Sequence, residues 1–202
     1  QTALPLVFML HGTGGDGEKM YETSGWAELA ERQNLIAVFP SSMRYKIVDG
    51  TEEKTTTKWN TLPDASWYLQ PGETAQDDIK FLRKLLGEVV ANYKIDTKRI
   101  YLNGFSNGGQ MAAKCTIEMS DLLAAVCMNA GSLYLDTVYV PNRKLPLLYQ
   151  VGNMDYGPGN VGPEVPLGYF DSLISTPGLP YFGGKLYEIA LNVTRNFSLK
   201  SE

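Results

Sequence analysis

Ser106 is the candidate nucleophile, because the residues around it could make its hydroxyl reactive. It lies in Gly104-Phe105-Ser106-Asn107-Gly108, which matches the pattern G-x-S-x-G. This pattern is typical of a sharp turn from a strand into a helix, where the strained central residue lifts its hydroxyl above the edge of a sheet. Glycines suit both flanks because side chains there would collide with the turn. The alternative is a plain glycine-rich helix start, since the string alone is common.

A second glycine-rich segment could stabilise the negative charge that such a nucleophile generates on a carbonyl oxygen. His11-Gly12-Thr13-Gly14-Gly15 directly follows the apolar run 5–10. A turn after the first strand can offer a backbone N–H to a developing oxyanion. We expect the N–H groups of Thr13 and Asn107 to form a two-donor oxyanion hole. Taken alone, the segment could equally be an ordinary turn.

Asp155 is the candidate acid. It follows the apolar run 145–151, so a parallel sheet would bring it to the same carboxyl-terminal edge as Ser106. An aspartate there could orient an imidazole and support its positive charge. The alternative is a solvated loop aspartate.

Alternating apolar runs and helical periods predict the elements that hold these residues. Short apolar runs at 5–10, 35–39, 99–103, 122–128 and 145–151 indicate strands, and helical spacing marks 19–33, 79–93 and 107–119. A capping-box pattern at 74–77 precedes the second of these helices. Strands separated by helices predict one three-layer α/β domain with a mostly parallel sheet and helices on both faces.

Composition argues against several classes of partner. The net charge is −4 and no Lys/Arg cluster exceeds two residues, so a nucleic-acid partner is not expected. No apolar run approaches the ~18 residues that span a bilayer, so no membrane partner is expected. One histidine and two separated cysteines give no zinc pattern, and nucleotide fingerprints are missing, so we predict neither a metal nor a cofactor.

The segment 41–72 has no sustained period and is predicted to be a long surface excursion. Aromatic residues on loops flank the serine motif on both sides and could line an acyl or aryl pocket; the alternative is that they pin loops onto the body. They are Trp59, Trp67 and Tyr68 before it, and Tyr156, Tyr169, Phe170, Tyr181 and Phe182 after it. Cys115 and Cys127 are expected to be buried thiols, and a disulfide between them is the alternative.

The chain resembles the polyhydroxybutyrate-depolymerase and feruloyl-esterase-like branch of the α/β-hydrolases. The resemblance covers most of residues 4–155. It is carried by P-L-V-F-M-L-H-G-T-G-G at 5–15, D-D-I-K-F-L-R-K-L at 77–85 and R-I-Y-L-N-G-F-S-N-G-G-Q-M-A at 99–112.

This resemblance implies a serine esterase of the α/β-hydrolase fold, secreted or periplasmic. Its implied substrates are short-chain, aryl (feruloyl), acetyl-polysaccharide or hydroxyacid esters, so the expected partner is an ester substrate such as a plant polysaccharide or a polyester. Ser106 would be the nucleophile, Asp155 the acid, and Thr13 and Asn107 the oxyanion donors. The oligomeric state is not predicted.

The resemblance also implies a histidine late in the chain, and here the sequence departs from the family. Its single histidine is His11, in the glycine-rich turn, where it is poorly placed as a general base. Loss of one triad member removes several orders of magnitude in rate, so these 202 residues alone are expected to be nearly inert. We expect residues 1–202 to be one incomplete catalytic domain, truncated at both ends, without the closing strand and catalytic-histidine segment. Alternatives are a catalytically inactive carbohydrate-binding or interaction module, or a peptidase of the same fold.

Overall fold

Strands and helices alternate along the chain for most of its described length. The computed structural model describes residues 2–62, 65–66, 68–131 and 141–150. In chain order the elements are β1 (Leu4–Leu10), α1 (Gly17–Thr23), α2 (Trp26–Gln33), β2 (Ile36–Val38), β3 (Arg44–Asp49), β4 (Glu52–Thr57), α3 (Asp78–Asn92), β5 (Ile95–Phe105), α4 (Asn107–Glu118), β6 (Ala125–Asn129) and β7 (Leu147–Gln150). All five predicted strands are present, with boundaries that shift by a few residues.

The main sheet has five strands in the order β2-β1-β5-β6-β7, and every neighbouring pair is parallel. In its central register Phe8 lies opposite Leu102, and Leu102 lies opposite Val126. Strand β1 is buried on both faces from Leu6 to Leu10, and such a strand is a continuous apolar run in the sequence, which is why the sequence identifies it. The predicted mostly parallel sheet is confirmed.

One face of the sheet carries the main core together with α3 and α4. Leu82 and Leu86 of α3 and Met111 of α4 pack with Leu6 and Leu102 of the sheet, and all are buried. Strand residues alternate between faces, so Met9 points to the opposite side. There it shares a cleft with Met20 of α1 and Trp26 of α2. The helices therefore lie on both faces, as predicted.

The helix predicted over 19–33 is two helices, α1 and α2, and the prediction of a single helix was wrong. The break lies at Ser24 and Gly25, and Gly25 has φ of 73°. This left-handed conformation is easy for glycine and incompatible with a continuing right-handed helix.

The segment 41–72 is more ordered than predicted. Strands β3 and β4 pair antiparallel into a hairpin, and five buried residues form a second small core beside it: Tyr45, Ile47, Leu62, Ala65 and Tyr68. Trp59 follows β4 and is completely buried in the main core. A surface excursion is therefore the wrong description, because long-range burial rather than a local period orders this part of the chain.

Helix α3 occupies the predicted place, but its cap is the last residue of the capping-box pattern rather than the first, Thr74. Its cap is Asp77, whose Oδ1 accepts a hydrogen bond from the N–H of Lys80 at 2.9 Å. The next residue, Asp78, is buried and accepts from the N–H of Asn60 at 2.6 Å. This contact ties the helix start to the segment after β4.

Among the helices of the described ranges, none combines the length and the apolar character that a membrane span requires.

Candidate active site

The serine turn has the predicted geometry. β5 ends at Phe105 and α4 begins at Asn107, so Ser106 alone makes the turn. Its φ is 53° and its ψ is −118°, a strained conformation for a residue with a side chain. Its N–H donates to the carbonyl of Asn129 at the end of β6, at 2.8 Å. The neighbouring strand therefore supports the strained residue.

The glycines of the motif are required by close backbone contacts. A Cβ on Gly104 would overlap the backbone of Gly108. A Cβ on Gly108 would lie 2.5 Å from the carbonyl oxygens of both Leu10 and His11. The strand end, the helix start and the end of β1 thus meet without space for side chains.

The glycine-rich turn lies against the serine. A Cβ on Gly12 would be 3.1 Å from Ser106 Cβ, so the two segments are in contact, and Thr13 follows directly. Thr13 and Asn107 are the predicted oxyanion donors. In the part of the chain that the structure describes, neither backbone N–H donates to an acceptor. The first turn of α4 also contains no acidic residue, so its positive dipole end is not neutralised locally.

His11 is fully buried and belongs to the framework of the turn. Ser42 N–H donates to Nε2 at 2.9 Å, so Nε2 must be the acceptor and Nδ1 must carry the proton. Nδ1 lies 2.7 Å from the carbonyl of Gly12, to which it donates. Burial lowers the pKa of His11, which favours the neutral ring. With both nitrogens occupied, this imidazole is not available to take a proton from Ser106.

Trp59 and the side chain of Asn107 connect the two turns. Trp59 N–H donates to Asn107 Oδ1 at 2.7 Å, and Asn107 Nδ2 donates back to the carbonyl of Trp59 at 3.2 Å. The indole Nε1–H donates to the carbonyl of His11 at 2.9 Å. Sequence reasoning missed this network because its partners are 48 residues apart and share no motif.

A cleft of about 500 Å³ lies beside the glycine-rich turn. Gly12, Thr13 and Phe105 line it, together with Met20 and Trp26. Sequence reasoning did not name Phe105 as a residue of the cleft. It directly precedes the serine at the end of a strand, and because side chains alternate between the faces of a strand, this position could have predicted its place in the cleft. Trp59 and Tyr68 are buried anchors instead, which favours the loop-pinning alternative for these two rings.

Of the other residues singled out in the sequence, some lie within the described ranges and some do not. Asp155 lies outside the described residues, as do Trp67 and the aromatic residues that follow Asp155. Cys115 and Cys127 are free thiols, the first buried and the second half-buried. Burial raises the pKa of the Cys115 thiol. Within the described ranges no group of three His, Cys, Asp or Glu side chains is placed to hold a metal ion.

Comparison with known families identifies the chain. The family model described as Esterase PHB depolymerase matches residues 1–140. The chain belongs to this family. The serine turn and the glycine-rich turn both lie inside the matched region. An esterase-type hydrolase family is therefore established for the chain.

Individual relatives of this esterase family member are distant and longer. NocK of Nocardia uniformis subsp. tsuyamanensis is 29% identical over 174 residues, 86% of this chain and 43% of NocK. Feruloyl esterase B of Piromyces equi is 28% identical over 157 residues, 76% of this chain and 26% of that enzyme. The chain thus spans less than half of the length of these relatives.

A solved structure supports the fold of this esterase family member. SOBER1 of Arabidopsis thaliana is similar with a TM-score of 0.54 at 16% identity, over 96% of this chain and 99% of SOBER1. At this identity the similarity concerns the fold alone. Together with the parallel sheet described above, it establishes the predicted α/β-hydrolase fold.

Proposed function

We propose that this protein is a serine carboxylic ester hydrolase that uses Ser106 as its nucleophile. The observation that carries the proposal is the strained Ser106 turn, with φ of 53°, in contact with the glycine-rich turn at Gly12. A strained residue is maintained only where the surrounding structure enforces it, and such residues cluster at functional sites. Family membership supports the same chemistry.

The proposed reaction proceeds through an acyl-enzyme. Ser106 Oγ bonds to the ester carbonyl carbon, and its proton passes to an imidazole acting as general base. The carbonyl electron pair moves to oxygen, where the N–H groups of Thr13 and Asn107 and the dipole of α4 stabilise the charge. Collapse of this intermediate breaks the ester bond, and the imidazolium protonates the departing alcohol. Water then repeats the sequence at the acyl-enzyme and releases the acid.

The acid and the base of the triad are proposed here, and neither is among the residues of the site described above. We assign Asp155 as the acid that orients the imidazole, on its position after the run 145–151. His11 is excluded as the base because both ring nitrogens are hydrogen-bonded within the turn. The chain spans less than half of the length of its relatives, and we propose that the full-length protein supplies another histidine as the base.

The proposed substrates are carboxylic esters with a short acyl, acetyl-polysaccharide, hydroxyacid or feruloyl group. The family description names a polyhydroxybutyrate depolymerase, and one relative is named a feruloyl esterase. The cleft beside Thr13 carries Met20, Trp26 and Phe105, which suit an aliphatic or aromatic group. Feruloyl esterases and xylanases, which are named among the relatives, are typically extracellular enzymes, and on that ground we propose a secreted or periplasmic enzyme.

Replacement of the nucleophile tests the proposal. In the full-length protein, Ser106→Ala is expected to reduce hydrolysis of p-nitrophenyl butyrate by more than about 10³-fold, because no acyl-enzyme can form. A fluorophosphonate probe should label the wild type and not this variant. Ser120→Ala is the matched control, since Ser120 lies just beyond the far end of α4, where its hydroxyl donates to the carbonyl of Ile117 and accepts from the N–H of Asn142.

The main competing function is a catalytically inactive binding module. The observation in its favour is the single histidine, which the structure commits to the turn. A full-length wild type that neither hydrolyses the ester nor reacts with the probe would favour this alternative. A higher turnover of peptide than of ester substrates would instead indicate a peptidase.

A further inference from the structure

The last residue of β4 and the segment that follows it bind both turns of the proposed site. Thr57 accepts a hydrogen bond from Gly14 N–H at 2.9 Å, and its hydroxyl donates to the carbonyl of Gly15 at 2.5 Å. Two residues later, Trp59 donates to His11 through its indole and exchanges two hydrogen bonds with Asn107. We call Thr57 and Trp59 the brace.

The brace contacts one proposed oxyanion donor, Asn107, and the sequence neighbours of the other, Thr13. Thr13 lies between residues that the brace fixes, His11 on one side and Gly14 and Gly15 on the other. Asn107, the second donor, is fixed through its side chain. Trp59 has no exposed surface, so its ring does not reach a substrate. Its effect on a reaction must pass through the backbone positions of the two donors.

We propose that Trp59 is a positioning residue that fixes the distance between the Thr13 and Asn107 N–H groups. The proposal rests on the proposed function, because it concerns the oxyanion hole of that reaction. Oxyanion donors act at 2.7–3.1 Å, and a displacement of about 1 Å can cost roughly 10²-fold in rate. The two donors lie on segments distant in sequence, and the Trp59 hydrogen bonds are a direct link between those segments.

The contacts also explain why a tryptophan occupies this position. Its indole N–H satisfies the buried carbonyl of His11, and its ring lies 5.1 Å from the His11 ring, centroid to centroid. Phenylalanine would fill most of the same volume without the donor. The carbonyl of His11, which is packed against Gly108, would then lack this partner.

The test is Trp59→Phe in the full-length enzyme, assayed with p-nitrophenyl butyrate and with butylboronic acid, whose adduct with a serine imitates the tetrahedral intermediate. We expect kcat to fall by about 10- to 100-fold with KM within about twofold, and boronate affinity to fall in parallel with kcat. Thr57→Val, which removes only the hydroxyl bond to Gly15, should show the same split with a smaller loss, about 3- to 10-fold.

Tyr45→Phe is the matched control, because it removes a partly buried hydrogen bond made by the same hairpin, in which Tyr45 Oη accepts from Gln76 N–H at 3.0 Å. It should leave kcat and boronate affinity unchanged. If Trp59→Phe and Thr57→Val fold and retain wild-type kcat and boronate affinity, the positioning role is overturned while the esterase stands. If Trp59→Phe does not fold, Thr57→Val decides by the same criterion. A wild type without esterase activity would overturn both proposals.

Discussion

At the scale of single residues, close contacts between backbone atoms surround the Ser106 hydroxyl of the candidate site. The helix start, the end of β1 and the serine turn approach so closely that Gly104 and Gly108 have no space for a Cβ. The proposed oxyanion donors are also backbone groups, at Thr13 and Asn107. Side chains such as His11 and Trp59 act by fixing that backbone.

Gly108→Ala tests this close packing. The new methyl group would lie 2.5 Å from the carbonyl oxygens of Leu10 and His11, which cannot move independently of the sheet. We expect the free energy of unfolding to fall by about 1–3 kcal/mol. Ester hydrolysis by the full-length protein should fall by about 10²-fold, because the two turns are forced apart. Wild-type activity in a stably folded variant would show that the contact does not position the site.

At the scale of elements, glycine has opposite effects on stability at two positions, one between two helices and one inside a helix. Gly25 separates α1 from α2 with φ of 73°, whereas Gly87 is an exposed residue inside α3. A Cβ would meet no heavy atom within 4 Å at either position. Backbone conformation therefore decides the effect of a methyl group.

Gly87→Ala is expected to raise the free energy of unfolding by about 0.5–1 kcal/mol, because alanine favours the helix and loses less backbone entropy. Gly25→Ala is the matched control and should lower it by about 1 kcal/mol, since alanine disfavours the left-handed conformation. Urea denaturation of the two variants measures both changes. Equal signs for the two variants would contradict this assignment of the break between α1 and α2.

At the scale of the whole molecule, the protonation of Asp78 makes the stability of the fold depend on pH. It lies at the start of α3, accepts from Asn60 N–H after the brace, and interacts with the charges of Lys114 on α4 and Asp77. Burial raises its pKa from 3.8 to about 6. Between these values the folded protein retains a proton that the unfolded chain has lost. Stability from this group is therefore lost as pH rises through this range.

Asp78→Asn should remove this pH dependence while keeping an acceptor for Asn60 N–H. The variant should gain stability relative to the wild type as pH rises from about 4 to 6, and the difference should be constant above that range. Urea midpoints of both proteins at pH 4, 5, 6 and 7 provide the measurement. Parallel pH profiles would show that Asp78 does not carry a raised pKa.

The strands, the parallel sheet and the serine and glycine-rich turns could be predicted because each has a local pattern in the sequence. Apolar runs such as 5–10 and glycines beside Ser106 reflect constraints on neighbouring residues. The hairpin of β3 and β4 and the break at Gly25 were missed. The hairpin depends on burial against distant residues, and a lone glycine does not by itself distinguish a break from a tolerated helix position.

The sequence by itself determined that Ser106 stands at a strand-to-helix turn and that a glycine-rich turn follows the first strand. Only the tertiary structure decided that His11 is a framework residue and that Trp59 joins the two turns. The physical reason is that both roles depend on hydrogen bonds across 31 and 48 residues of chain. Such bonds form only when the sheet and the hairpin have assembled, and they leave no periodic pattern in the sequence.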